Sequence, residues 1–150
     1  MFTPKRILVP TDFSDNAAIA LKNAIDIARQ YDAKVYLLHV IDQVLYQCLV
    51  DYCISDAVMQ QIEKESLKIA TEKLRQEVTR ISDADSRVEI SFDVRQGTPY
   101  YEIMKEQEEK KIDLIVIASH GKAGMPNNSI GSVAETVLKG AKGHVLLIKN

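Results

Sequence analysis

Between residues 116 and 140 the chain reads VIASHGKAGMPNNSIGSVAETVLKG, an apolar run, then small and polar residues, then a helical pattern. Gly121, Gly124 and the pair Gly131-Ser132 punctuate the middle. Glycine lets the main chain approach a ligand closely or take a positive φ. A glycine-serine pair at a helix start places free backbone N–H groups where the helix dipole also favours phosphate. No Walker lysine-threonine is present, so the stretch has the grammar of a phosphate loop without that signature; it equally suits a surface loop with ordinary turn glycines. A second candidate is VPTDFS, residues 9–14. There Asp12 stands just past an apolar run, as a carboxylate able to accept hydrogen bonds from ribose hydroxyls or a base amine. The same residue type caps helices, a task Ser14 can also take, and both roles for Asp12 stay open.

These residues need elements to hold them. Apolar runs at 6–9, 34–41, 113–119 and 144–149 suit strands covered on both faces, as in a buried parallel sheet. RVEISFDV, residues 87–94, alternates apolar and polar like a half-exposed edge strand. Ala17, Ala20, Leu21, Ala24, Ile25, Ile27, Ala28 and Tyr31 recur at helical steps. Beyond Asp56 a second helix is predicted to about Ile81, with Met59, Ile62, Leu67, Ala70, Leu74 and Val78 on its apolar positions. Thr98-Pro99 opens a third helix, to about Lys111, and Gly131-Ser132 a fourth. Residues 42–55 show no clean periodicity and read as a long connection. Strands alternating with helices predict an open five-stranded, mostly parallel α/β sheet with helices on both faces, Rossmann-like, in one domain spanning 1–150. In such a sheet ligands bind outside the carboxyl ends of the strands, which directs attention to the loops after the first, second and fourth apolar runs.

Composition narrows the functions. With 150 residues, 46% hydrophobic and 27% charged, the chain can bury one ordinary core. A formal charge of −2 gives no basic excess for a row of phosphates, so nucleic acid is not an expected partner, whereas a single nucleotide is compatible. No run reaches a membrane span, no secretory leader is apparent, and Cys48 and Cys53, at a C-x4-C spacing that fits neither a zinc pair nor a thioredoxin motif, make no disulfide framework. A cytoplasmic protein is the expectation. His39, inside an apolar run, reads as a hydrogen-bonded core residue.

RILVPTDFS, YLLHVID, DLIVIASHGKAG and GSVAETVLKGAKGHVLLIK together resemble the universal stress protein family, in order and over essentially the whole chain. The family motif for ATP is G-x2-G-x9-G-[ST]; Ala118, Gly121 and Gly131-Ser132 occupy its positions, alanine replacing the first glycine. The resemblance implies an adenine-nucleotide α-hydrolase-like fold. It also implies that Pro10, Thr11 and Asp12 line the adenine-ribose side and that Val40 meets the base through its backbone. Gly121, Gly131, Ser132 and Val133 would lie at the phosphates, with Ala118, His120 and Lys122 beside them. It implies a homodimer paired through the C-terminal strand and a role in stress response or signalling, with ATP, alone or with Mg2+ or Mn2+, as the ligand.

Binding with at most slow hydrolysis is the expectation, because no nucleophile-base pair, no paired carboxylates and no Walker lysine are apparent. Nucleotidyltransferases and ATP pyrophosphatases of similar fold carry H-x-G-H or S-G-G-x-D-S after the first strand, where this chain has PTDFS. The alternative is a dimeric partner-interaction module whose pocket is vestigial, with Ala118 as its chief support.

Overall fold

The computed structural model describes residues 1–52, 54–85, 87–121 and 129–149. Its elements run β1 (Arg6–Pro10), α1 (Asp15–Tyr31), β2 (Lys34–Asp42), α2 (Val44–Asp51), α3 (Asp56–Ala84), β3 (Ile90–Gly97), α4 (Pro99–Glu109), β4 (Leu114–Ala118), α5 (Ser132–Gly140) and β5 (His144–Ile148). The strands form one sheet in the order β3-β2-β1-β4-β5, every pairing parallel. The expected edge strand is indeed at an edge, although it starts at Ile90 rather than Arg87.

The two faces of the sheet are covered separately. Ile7, Val9, Val35 and Leu37 point to the side packed by α1 and α3, with Ala20, Leu21, Ala24 and Leu74. Leu8, Leu38, Ile115 and Ile117 point to the other, with Ile103 of α4 and Val137 of α5. Alternate residues of one strand thus feed two cores, which is why the central strands read as unbroken apolar runs.

Caps and ion pairs fix the helices that approach the carboxyl ends of the strands. Ser14 caps α1, its hydroxyl accepting from Ala17 N–H at 3.1 Å. Thr98 and Pro99 open α4 as predicted, without a side-chain cap bond. The α4 helix is tied to β3 by Arg95, whose guanidinium donates to the fully buried Glu106 at 2.7 Å and also pairs with Glu109. Burial opposes the Arg95 charge, yet Glu109 and Glu106 hold its pKa above the ordinary guanidinium value. Buried Gln107 bonds Lys142 in both directions, at 2.5 and 3.1 Å, joining α4 to the turn before β5.

Two expectations need correction. Val44–Asp51 is helical rather than an irregular connection. Its Val44 and Val50 are more than half exposed and so mark no buried side of the helix; the local signal was Asp42, whose carboxylate accepts from Val44 N–H at 3.0 Å. Leu67, placed on the apolar side of α3, is 42% exposed, whereas Met59, Ala70, Leu74 and Ile81 of the same helix are buried.

Candidate functional site

A cavity of about 410 Å³ opens at the carboxyl ends of β1, β2 and β4. Pro10, Thr11 and Asp12 line one side, Leu38 and Val40 the floor from β2, Ile117 through Gly121 the end of β4, and Gly131 through Ala134 the start of α5. Every predicted site residue that lies in the described part of the chain is therefore brought together here. Lys122 and Gly124 fall outside the described residues, as do Asn127 and Asn128 in the spacer.

The geometry around Asp12 joins the two sequence candidates. Asp12 Oδ1 accepts from Ser14 N–H at 3.0 Å and Thr11 Oγ1 from Phe13 N–H at 3.1 Å, so the turn folds back on itself before Ser14 starts the helix. Asp12 thus braces the turn while Ser14 does the capping. Across the cavity, a Cβ at Gly121 would fall 2.3 Å from Asp12 Oδ2. Glycine at 121 leaves the Asp12 carboxylate its place, since any side chain there would push it aside; no positive φ is involved.

Gly131 corrects a second expectation. Its φ is −61°, which any residue adopts, and its N–H is already used, donating to Ser119 O at 2.7 Å. A Cβ there would stand 3.2 Å from that same carbonyl. The small residue lets the start of α5 lie against the end of β4. The open donors lie one step further along: the first helical bond runs from Glu135 N–H to Gly131 O, no side chain caps α5, and the N–H groups of Ser132, Val133 and Ala134 have no acceptor among the described residues. Three converging donors at a helix N-terminus form an anion site of standard design.

Ala118 is the last residue of β4, half-buried, paired with Ile148 and without positive φ. A regular strand conformation accepts a methyl group, so alanine at this position keeps the backbone path.

Next to it, Ser119 is 2% exposed and its Oγ lies 2.8 Å from His120 Nδ1. That contact orients the imidazole, and its other nitrogen, Nε2, is shielded from solvent without a hydrogen-bond partner among the described residues. A buried polar atom costs about 1–3 kcal/mol when it is left without a partner, so this nitrogen calls for one beyond the described residues. His39 is hydrogen-bonded as expected, Nδ1 lying 2.8 Å from Thr11 O with the ring against Phe13, but it is half-buried rather than in the core.

Sequence reasoning missed part of the wall. Pro99 and Ile103 of α4 and Ala17 of α1 also line the cavity. The loop after β3 had been passed over; Gly97-Thr98-Pro99, a glycine and a helix start at a strand end, was the available signal. Asp12 is the one carboxylate in the lining, and no group of three or more His, Cys, Asp or Glu that could hold a metal occurs among the described residues.

Residues 3–149 match the model of the universal stress protein family. Universal stress protein MJ0531 of Methanocaldococcus jannaschii is 34% identical over 145 residues, covering 97% of this chain and 82% of its own. The solved structure of MJ0577, from the same organism, superposes with a TM-score of 0.84 at 30% identity, over 99% of this chain and 98% of that one. A universal stress protein family protein from Arabidopsis thaliana, solved with AMP bound, shares the fold at a TM-score of 0.65 and 19% identity, covering 98% of this chain and 92% of its own. With a family match over nearly its full length and relatives above 30% identity across it, this chain belongs to the universal stress protein family.

Proposed function

We propose that the chain binds an adenine nucleotide, ATP foremost, in the cavity between β1, β4 and α5. The observation that carries this reading is the set of donors on its wall that have no partner among the described residues: the N–H groups of Ser132, Val133 and Ala134, with His120 Nε2 beside them. Phosphates would sit at the start of α5, and His120 would donate to one of them while Ser119 holds its ring. The ribose would meet Asp12, and the base would lie against Val40, Leu38 and Ile103, an apolar slot of the kind that buries a planar ring. Gly121 keeps Asp12 within reach of both ends. The capture of AMP by a distant relative of the same fold is consistent with this class of ligand.

A Mg2+ or Mn2+ ion would enter with the phosphates, with Asp12 as its protein ligand, since hard cations take oxygen donors and nucleotide-bound Mg2+ needs few from the protein. Around the phosphate place, Ser119 Oγ lies beside His120 Nδ1 but is only 2% exposed, and the lining among the described residues holds no second carboxylate. Binding with slow turnover at most is therefore the function proposed, as a stress-response or signalling component acting in the cytoplasm, where ATP is available. Titration of nucleotide-stripped protein with ATP, ADP and AMP, with and without Mg2+, tests this. Micromolar affinity falling stepwise as phosphates are removed is expected; absence of heat with an unshifted melting temperature would overturn it.

Homodimerisation is part of the same proposal. β5 pairs only with β4, leaving its outer edge open, and Leu146 and Leu138 beside it are 38% and 39% exposed. A two-fold pairing of β5 with a second copy would cover that edge. Light scattering should give twice the 16.8 kDa chain mass; a monomer would refute it.

A further inference from the structure

The β1–α1 turn separates two cavities. The second, about 440 Å³, lies on the opposite face of the sheet, between α1 and α3, with Phe13, Leu21, Leu37 and Leu74 forming its apolar floor and Lys73 and Arg80 on its rim. At the carboxyl ends of the helices Arg29 of α1 closes on Asp85 just past α3 at 2.6 Å, so the gap is open only at the end nearer the turn.

Three features suit this gap to a ligand. Its rim carries surplus positive charge: Arg80 pairs with Glu77 at 2.6 Å, whereas Lys73 forms no ion pair with a carboxylate among the described residues and holds its ammonium 5.0 Å over the Phe13 ring. Its floor is apolar, and a lysine resting on an aromatic face gives up little on turning to an anion. Phe13 itself has φ of 64°, a left-handed conformation that a bulky residue adopts only under constraint and that places its ring between His39 and Lys73. Strain of this sort concentrates where a segment is used.

We propose that this gap is a second binding site, for a small monoanion with an apolar body: a carboxylate on Lys73 and a short hydrocarbon chain over Phe13, Leu37 and Leu74. Thr11 lines both cavities, and Asp12, which faces Gly121 in the first, is the immediate neighbour of Phe13. A ligand that shifts the Phe13 ring acts on the turn that bounds the nucleotide place, so the two sites are coupled, and reciprocally. The coupling rests on the nucleotide reading above; the existence of the second site does not.

Octanoate is the probe, titrated into nucleotide-free protein and followed by amide NMR, with octanol as the uncharged counterpart. Saturable shifts at Phe13, Ala18, Leu21 and Leu74 are expected. Lys73→Gln, at an exposed position, should weaken octanoate at least about fivefold and leave octanol unchanged. Ala18→Phe, which fills the gap from an exposed position on α1, should abolish binding of both while the melting temperature holds. Absence of saturation below about 10 mM, a threshold near the weakest useful affinity, would overturn the proposal. So would shifts confined to Pro10, Val40 and Gly131, or equal affinity in Lys73→Gln. Repeating the titration with ATP present reads the coupling: a changed octanoate affinity supports it. An unchanged one, with ATP bound, removes the coupling and leaves the site.

Discussion

Asp113 and the first turn of α5 stand at opposite ends of the same parallel sheet. At the amino end, the Asp113 carboxylate accepts from Lys5 N–H and Arg6 N–H at 2.9 and 3.2 Å, its own N–H donates to Arg6 O, and its carbonyl accepts from His144 N–H. Arg6 adds a bond to Lys110 O and Lys5 one to Tyr31 O. One residue thus sews the starts of β1, β4 and β5 together. At the carboxyl end three N–H groups of α5 and one imidazole nitrogen have no partner among the described residues. Both ends face the same requirement, that polar groups leaving water find partners. The amino end meets it within the chain, and that end is structural. The carboxyl end leaves these groups without partners among the described residues, which is why the nucleotide is proposed to bind there.

This contrast can be broken deliberately. The largest effect is expected from Gly121→Val, which forces Asp12 out of its place against residue 121, because the new Cβ would stand 2.3 Å from the carboxylate. Nucleotide affinity should fall about 100-fold or more, some 2.7 kcal/mol, by calorimetric titration, while the far-ultraviolet circular dichroism of the fold persists. Affinity within about threefold of the parent would show that Asp12 and Gly121 do not frame the ligand. Next comes Asp113→Ala. It removes the acceptor for two backbone donors and should lower unfolding free energy in urea by about 1–3 kcal/mol, with nucleotide affinity unchanged. A parallel loss of affinity would mean that the two ends are not separable.

The smallest effect sharpens the contrast from the other side. His120→Phe takes away Nε2, which has no partner among the described residues, together with Nδ1, which contacts Ser119 Oγ. Its stability without nucleotide should stay within about 1 kcal/mol of the parent, while ATP affinity drops about fivefold, the size of one net hydrogen bond. A large loss of stability without any change in affinity would assign His120 to the fold.

Much of this was legible beforehand, for identifiable reasons. Strands buried on both faces must be apolar at consecutive positions, so β1, β2 and β4 stood out as runs; β5 is as apolar in sequence yet lies at an edge with no buried residue, and β3, the other edge, showed itself by alternation. The single buried stripe of α1 and the Ser14 cap are local consequences of local residues. α2 was not legible: its Val44 and Val50 are exposed, so neither marks a buried face from which a helical period could be read. Gly131 was expected to offer a free N–H, but that N–H donates to Ser119 O, and a Cβ would stand 3.2 Å from the same carbonyl, twelve residues away along the chain.

The sequence by itself determined the α/β alternation, the family and the residues that would gather at the site, because hydrophobic period, caps and short motifs are properties of neighbouring positions. Tertiary structure alone decided the strand order β3-β2-β1-β4-β5 and, with it, that Asp12 meets Gly121 and that α4 supplies part of the cavity wall. It also decided which donors are left over: a backbone N–H is free or bonded according to what packs against it, and that depends on segments more than a hundred residues apart.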